Sequence, residues 1–497
     1  RGAGPPPPPP AADAAGDKSS AFQVVEEESN LTVTANNIRA VFNRITGQLL
    51  TYQVGSKPPL MATSHALLLG QDDDEEKKRY HGASDWGAFR LQFHRAATDN
   101  DNGGYSAQWK AVGIDVAPPE PDKYDVTCGE NAQGFQVCSK FEYRPQVDSA
   151  LVPLIEKINS FINDGNKTEL EFPDLERRER AFVHNLAAAN RLAHENKEEG
   201  DKIVRVWKPK MHLCTTHHVA QGISLAPESD GSSENNGTIV QKTDSKSMEE
   251  KGNSETAGAL IKCEVRWTLD GRGRLRARCL ADFPRDWPCL PRVGCGVALG
   301  PGMTAGGGGG GVAWLGRGPH ENYPDRKESA LFGYYSSSIE DQLVNYIKPS
   351  ENGNKTDTRW AAVINETTND ALLVTASAPP SRAAGSQSDV WQLAGNTFDF
   401  SALPFSPEAL HAARHTCDLP PAAGAAAAAR GGAHLNLDHR LMGVGGDDSW
   451  TACVHPEYLI PADKYEFEFV FQGVTVSNLA SAQKELQAAI NLMKQGE

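Results

Sequence analysis

The stretch CEVRWTLDGRGRLRARCLADF, residues 263–283, decides the fold class. Cys263, Val265, Trp267 and Leu269 fall on one side of an extended chain. After Gly271 and Gly273 the same alternation resumes with Leu275, Ala277, Cys279 and Ala281. Successive side chains of a strand point to opposite faces, so this pattern predicts an antiparallel hairpin with one apolar face. Working outward, Tyr465, Phe467, Phe469 and Phe471 alternate with Glu466 and Glu468, which predicts a strand with one wet face. Toward the N-terminus, LTVTA, IRAVFNR and QLLTYQV, turned at Thr46-Gly47, read as an antiparallel meander, and YDVTC pairs with FQVCSKFEY. Helical spacing is confined to 153–163, 176–198 and a tail after Ser477 carrying Leu479, Leu486, Ile490 and Met493. The expected class is therefore all-β: a large antiparallel β-sandwich with disordered and helical insertions.

The 497 residues divide accordingly. Residues 1–20, with a six-proline run, read as a linker or tail; 21–476 form the sandwich; 477–497 are a helical tail. Insertions are placed at about 145–260, 301–312 and 420–432. Within or beside them, 72–76, 227–257, 306–311 and 420–432 lack the apolar content to offset ordering entropy, and are expected to be disordered. The chain opens on Arg1 and reads as a processed or truncated piece.

Composition excludes several classes. A hydrophobic fraction of 39% with 23% charged residues suits a globular chain. The net charge of −15 supplies no positive field for nucleic acid or anionic lipid. No apolar run is long enough for a membrane span. Nine cysteines, odd in number and without a CxxC pair, predict neither a disulfide framework nor a zinc knuckle. Sequons at Asn30, Asn166, Asn236, Asn354 and Asn365 leave the compartment open, with a cytoplasmic one favoured.

Candidate chemistry is sparse. Glu321 and Asp325 in GRGPHENYPDR could form a carboxylate pair of the glycosidase kind, yet a loop-shaping hydrogen-bond cluster is the reading preferred. His212, Cys214, His217 and His218 offer soft metal ligands without a supporting carboxylate, and are read as structural. The glycine run 306–311 lacks the GK[ST] of a phosphate loop, and no GxSxG elbow occurs. LMGVGGDDSW, ending at Trp450, is more informative: its glycines allow tight turns, and an exposed indole can stack on a sugar ring while carboxylates take its hydroxyls. A tryptophan plugging the end of a sandwich is the equally weighted alternative.

Six segments, FNRITGQL, RAATDNDNG with WKAVG, WLGRGPHENYPDR, VNYIKPSENGNKTDTRW, FDFSALPFSPEALHAARH and MGVGGDDSWTACVHPEY, together resemble the carboxy-terminal domain of the large bacterial-type β-galactosidases of glycoside hydrolase family two. That domain also occurs as a separate small chain. The resemblance spans most of residues 25–475 and implies a galactose-mutarotase-like supersandwich whose catalytic barrel lies elsewhere, in the same polypeptide or a partner chain. It implies retaining hydrolysis of terminal β-D-galactosides in an oligomeric enzyme, with magnesium and sodium held by the barrel. The family's catalytic glutamates belong to that barrel. Neither of their motifs is found here, and Glu457-Tyr458 is read as part of a strand. This chain alone is expected to be inactive. Trp450 matches the family's substrate-stacking tryptophan, and Asp99, Asn100, Asp101 and Gly103 match a loop bordering the same pocket. The stretch between Asp101 and Trp109 is shortened to NGGYSAQ, a departure from the family pattern at the part of that loop expected to move. The rival from another class is a free-standing carbohydrate-binding module, which would bind galactosides in isolation. A blander one is a structural protein that has lost the sugar site.

Overall fold

The computed structural model describes residues 22–62, 88–102, 105–115, 121, 123–145, 150–189, 192–196, 203–208, 260–285, 287–300, 303, 310–377, 397–419, 433–447, 454–479 and 482–494. Trp450, Gly103, the histidines of HLCTTHH, the N-terminal proline run, and the segments 72–76, 227–257, 306–309 and 420–432 lie outside them.

The hairpin of 263–283 forms as its periodicity requires: Ile261–Leu269 pairs antiparallel with Leu275–Asp282. Trp267 lies opposite Ala277, and Ala277 opposite Phe469 on the next strand, so large side chains flank a small one across the sheet. This alternation lets three neighbouring strands share one flat apolar face. On the reverse face Arg276 meets Glu468 at 3.3 Å, and Arg278 meets Glu466, giving the wet side its charge pairing. At the turn Gly273 adopts φ +83°, and a Cβ there would come within 2.3 Å of Ile38 Cγ1.

These strands are the middle of a nine-stranded antiparallel sheet, ordered Leu331–Ser338, Gly311–Gly318, Trp360–Ile364, Asp370–Ser377, Lys464–Thr475, Leu275–Asp282, Ile261–Leu269, Gly134–Tyr143, Tyr124–Asn131. Over its aromatic face lies a five-stranded antiparallel sheet ordered Lys355–Thr358, Phe398–Leu403, His434–Leu441, Arg292–Ala298, Phe89–Gln92. The two meet through Phe89 on Trp267 (4.7 Å between ring centroids), Phe398 on Phe469 (5.6 Å) and Phe400 on Trp314 (5.9 Å). The N-terminal meander makes a further five-stranded sheet, Gln23–Glu26 through Met61–Ala62. It is tied on by Tyr52, whose hydroxyl donates to Gly273 O at 2.9 Å and accepts from Gly473 N at 3.1 Å. The fold is all-β and antiparallel, as expected.

Two segments depart from the sequence reading. The helix expected over 176–198 is Arg177–Ala189 only; Ala193–Asn196 is a strand pairing with Val204–Trp207, which also pairs with Glu169–Phe172. The polar run beyond Leu192 has no apolar position at helical spacing to bury, and ladder hydrogen bonds to VRVW satisfy its backbone instead. Pro456–Tyr458 is a single 3-10 turn rather than a strand, because Pro456 lacks the N–H a ladder needs. At the C-terminus Ala482–Lys494 is helical, and Ala482, Leu486 and Ile490 bury against Ala313, Trp360, Ala362 and Leu373 on the outer face of the nine-stranded sheet. Trp360–Ile364 is consequently buried on both faces.

Seven of the nine cysteines are described and all seven are free. No helix among the described residues is long and apolar enough to cross a membrane.

Candidate functional site

Thr98-Asp99-Asn100-Asp101 carries the signature of a helix start, and a one-turn helix covers Asp99–Asn102. Thr98 Oγ1 accepts from Asp101 N at 3.2 Å while Asp101 Oδ2 accepts from Thr98 N at 2.9 Å, a reciprocal cap. The same carboxylate takes both arms of Arg95: Nε to Oδ2 at 3.0 Å and Nη2 to Oδ1 at 2.6 Å. Both side chains are 0% exposed. Burial alone would push the Arg95 guanidinium down; the Asp101 carboxylate, together with Glu351, holds the group above its ordinary value. The ring of Trp109 lies 5.6 Å from the guanidinium carbon.

The opposite edge of Arg95 reaches the glycine-rich segment, donating from Nη1 to Met442 O at 2.6 Å and from Nη2 to Gly443 O at 3.0 Å. Asn100 Nδ2 donates to Val444 O at 2.7 Å. From a third direction comes Asp325. Tyr323-Pro324-Asp325-Arg326 has proline in the second position of a four-residue turn, closed by Arg326 N donating to Tyr323 O at 2.8 Å. Asp325 Oδ1 accepts from Val444 N at 3.0 Å and Oδ2 from Gly445 N at 2.7 Å. Gly443 N donates to Tyr458 O at 3.0 Å. The described chain ends at Asp447, resumes at Val454, and is tied across the gap by His455 to Asp447. Trp450 belongs to the intervening segment.

Glu321 joins the same assembly. It accepts from Tyr323 Oη at 3.1 Å and Gly353 N at 2.8 Å, and from the Tyr346 hydroxyl, whose pKa is pushed up to about 12 by burial and by this carboxylate. Asn322 is locked to Thr356 through its N (2.8 Å) and Oγ1 (2.6 Å). Buried Lys355 donates to Gly353 O at 2.9 Å, and burial lowers its pKa to about 8. Beneath the loops, Arg292 pairs with Glu351 (2.6 Å) and Asp438 (2.9 Å), and Glu351 N donates to Ala96 O at 3.0 Å. Asp438 is raised to about 7 by burial and by Glu351, with Arg292 offsetting only part of the effect.

Four of the six quoted motifs thus converge: RAATDND, GRGPHENYPDR, PSENGNKTDT and MGVGGD. Of Asp99, Asn100 and Asp101, Asn100 reaches the segment leading to Trp450 directly, through Val444 O, and Asp101 reaches it through Arg95. Within this chain Asp101 is an anchor, its carboxylate wholly buried and engaged by Arg95 and Thr98. Glu321 and Asp325 are each engaged in shaping loops. Arg95, Arg292 and Glu351 were not singled out from sequence; the sole signal for Arg95 was its place in RAATDND, six residues before Asp101, while its other partners, Met442 and Gly443, are 347 and 348 residues away. Among the described residues no three His, Cys, Asp or Glu side chains converge in a way that could hold a metal ion.

This is an antiparallel all-β domain that gathers loops from four distant segments at one place. The β-galactosidase small-chain family matches residues 34–471, and the chain belongs to it. The β-galactosidase of Vibrio cholerae is 34% identical over 212 residues, 43% of this chain and 17% of that protein. Those of Priestia megaterium and Pseudoalteromonas haloplanktis are 31% identical over 206 and 216 residues, each match again covering 17% of the relative. The matched part is thus under a fifth of the length of these relatives. Among solved structures, a galactose mutarotase-like protein from Clostridium acetobutylicum aligns over 92% of this chain and 98% of its own at 7% identity and TM-score 0.33. Galactose 1-epimerase from Lactobacillus acidophilus aligns over 91% and 98% at 8% identity and TM-score 0.35. Likeness at that level carries no weight here, and the architecture rests on the strand pairing itself.

Proposed function

We propose that this chain is the non-catalytic β-sandwich part of a β-galactosidase that hydrolyses terminal β-D-galactosides with retention, completing the substrate pocket of a catalytic barrel domain on the same or a separate chain. The observation that carries the reading is the convergence of four family motifs on the loop that leads to Trp450. In it Trp450 is the stacking platform for the substrate, and Asp99, Asn100 and Gly103 border the pocket, with Asp101 fixing their turn. The hydrolytic carboxylates belong to the catalytic domain, as do magnesium and sodium, so this chain supplies shape rather than reacting groups. The assembled enzyme would be oligomeric, without nucleic-acid or membrane partners.

The test combines this chain with the catalytic domain and assays a β-galactoside. Activity should far exceed that of either part alone. In the assembly Trp450→Ala removes an indole contact of about 1.5–3 kcal/mol, so KM should rise roughly tenfold to a hundredfold. Activity no higher than that of the catalytic domain alone, or an unchanged KM in the variant, refutes the reading.

A further inference from the structure

We infer that Arg95 and Asp325 form a pincer of opposite charge that fixes residues 442–445, the segment leading to Trp450: the cation reads two consecutive carbonyls of that segment, and the anion reads the two consecutive amides that follow. The inference rests on the proposed role of Trp450, and deepens it by naming what holds the platform.

The backbone geometry calls for such a device. In a strand, successive carbonyls point to opposite sides, and so do successive amides. After His434–Leu441 ends, Met442 O and Gly443 O both accept from one guanidinium, at 2.6 and 3.0 Å. Val444 N and Gly445 N then both donate to one carboxylate, at 3.0 and 2.7 Å. The chain is bent twice, and each bend is held by a side chain of the matching charge. A planar guanidinium can grip Asp101 with one edge and two carbonyls with the other, which an ammonium cannot do. The pincer also requires a bare position between its jaws. A Cβ on Gly443 would lie 2.4 Å from Asp325 Oδ2 and 2.9 Å from Tyr458 Cβ. Gly445 and Gly446, at φ +66° and +98°, then turn the chain beyond the pincer. Neither jaw needs to touch substrate. Both are positioning residues.

Asp325 is the arm to test, because Arg95 is wholly buried and its variants risk misfolding. Asp325→Asn keeps the size of the side chain but offers one acceptor oxygen where two amides need one each. In the full chain, hydrogen exchange at the Val444 and Gly445 amides should quicken by roughly tenfold or more, while exchange in Leu275–Asp282 stays unchanged. In the assembled β-galactosidase KM should rise roughly tenfold with kcat changing less, since a displaced platform weakens binding before chemistry. Trp450→Ala with Asp325→Asn should be no worse than Trp450→Ala alone, because a positioning residue has nothing to position once the indole is gone. Arg95→Lys should reproduce the pattern if it folds. Unchanged exchange at both amides, or fully additive effects in the double variant, overturns the pincer. If instead Trp450→Ala leaves KM unchanged, the role of Trp450 fails, and the exchange result alone decides whether the loop is held as described.

Discussion

Asp101→Ala isolates the buried centre of the site. Among the described residues Asp101 is the carboxylate that Arg95 contacts at hydrogen-bond distance, and both side chains are fully enclosed. Removing it strands a guanidinium out of water, a loss of about 3–5 kcal/mol for a broken buried pair. The reciprocal cap with Thr98 goes as well, adding about 1 kcal/mol. Because Arg95 also holds Met442 and Gly443, the damage should spread to the glycine-rich loop. Urea unfolding, followed by tryptophan fluorescence and circular dichroism together, measures the change wherever the two probes coincide. The companion variant Asp101→Leu with Arg95→Met removes both charges at once and should recover part of the loss, as replacement of buried pairs by apolar side chains does elsewhere. A loss below about 1 kcal/mol in Asp101→Ala would refute the claim that the pair is desolvated and jointly holds the two loops.

Asp438, with a folded pKa of about 7 against an ordinary 3.8, keeps a proton that the unfolded chain releases. Its contribution is complete below about pH 4 and lost as pH rises through 7, a swing of at most roughly 4 kcal/mol; Asp438→Asn should flatten that slope in unfolding curves taken across the window. Gly443→Ala forces a Cβ against Asp325 and Tyr458 and should cost about 1–3 kcal/mol while exposing the Val444 and Gly445 amides to exchange. Leu486→Ala, in the helix over the outer face of the large sheet, should destabilise by about 2–5 kcal/mol and leave the KM of the assembled enzyme unchanged, which separates the support of the sheet from the site.

The strands were legible because a period of two survives in sequence whatever packs above it. Cys263 to Ala281 and Tyr465 to Phe471 could be assigned to a face before their partners were known. The end of the helix at Ala189 was not legible, since the ladder that Ala193–Asn196 joins with Val204–Trp207 is a non-local pairing that the helical spacing does not announce. The site was legible as motifs and illegible as contacts. Thr98-Asp99-Asn100-Asp101 announces a capped turn, and Tyr323-Pro324-Asp325-Arg326 a tight one, so two of the shapes around the loop could be anticipated. That Asp325 would meet Val444, 119 residues on, or that Arg95 would meet Met442, 347 residues on, depends on the tertiary fold alone.

The charges beneath the loops explain how this domain holds the segment after the strand His434–Leu441 in place. A sheet ladder fixes the strand His434–Leu441, but its hold ends with its last hydrogen bond, and the next residues must be placed by something else. Here the placement is made by side chains that are themselves immobilised. Arg95 is held by Asp101. The backbone around it is held by Arg292 Nη1 donating to His94 O at 3.3 Å and by Glu351 N donating to Ala96 O at 3.0 Å. Apolar packing would bury the same loop at lower electrostatic cost, yet a methyl group accepts several neighbouring arrangements where a guanidinium bound at two edges accepts one. Under the proposed function, in which this loop meets a substrate seated in another domain, that single arrangement is needed before the substrate arrives, because the binding energy available on contact is otherwise spent on ordering the loop.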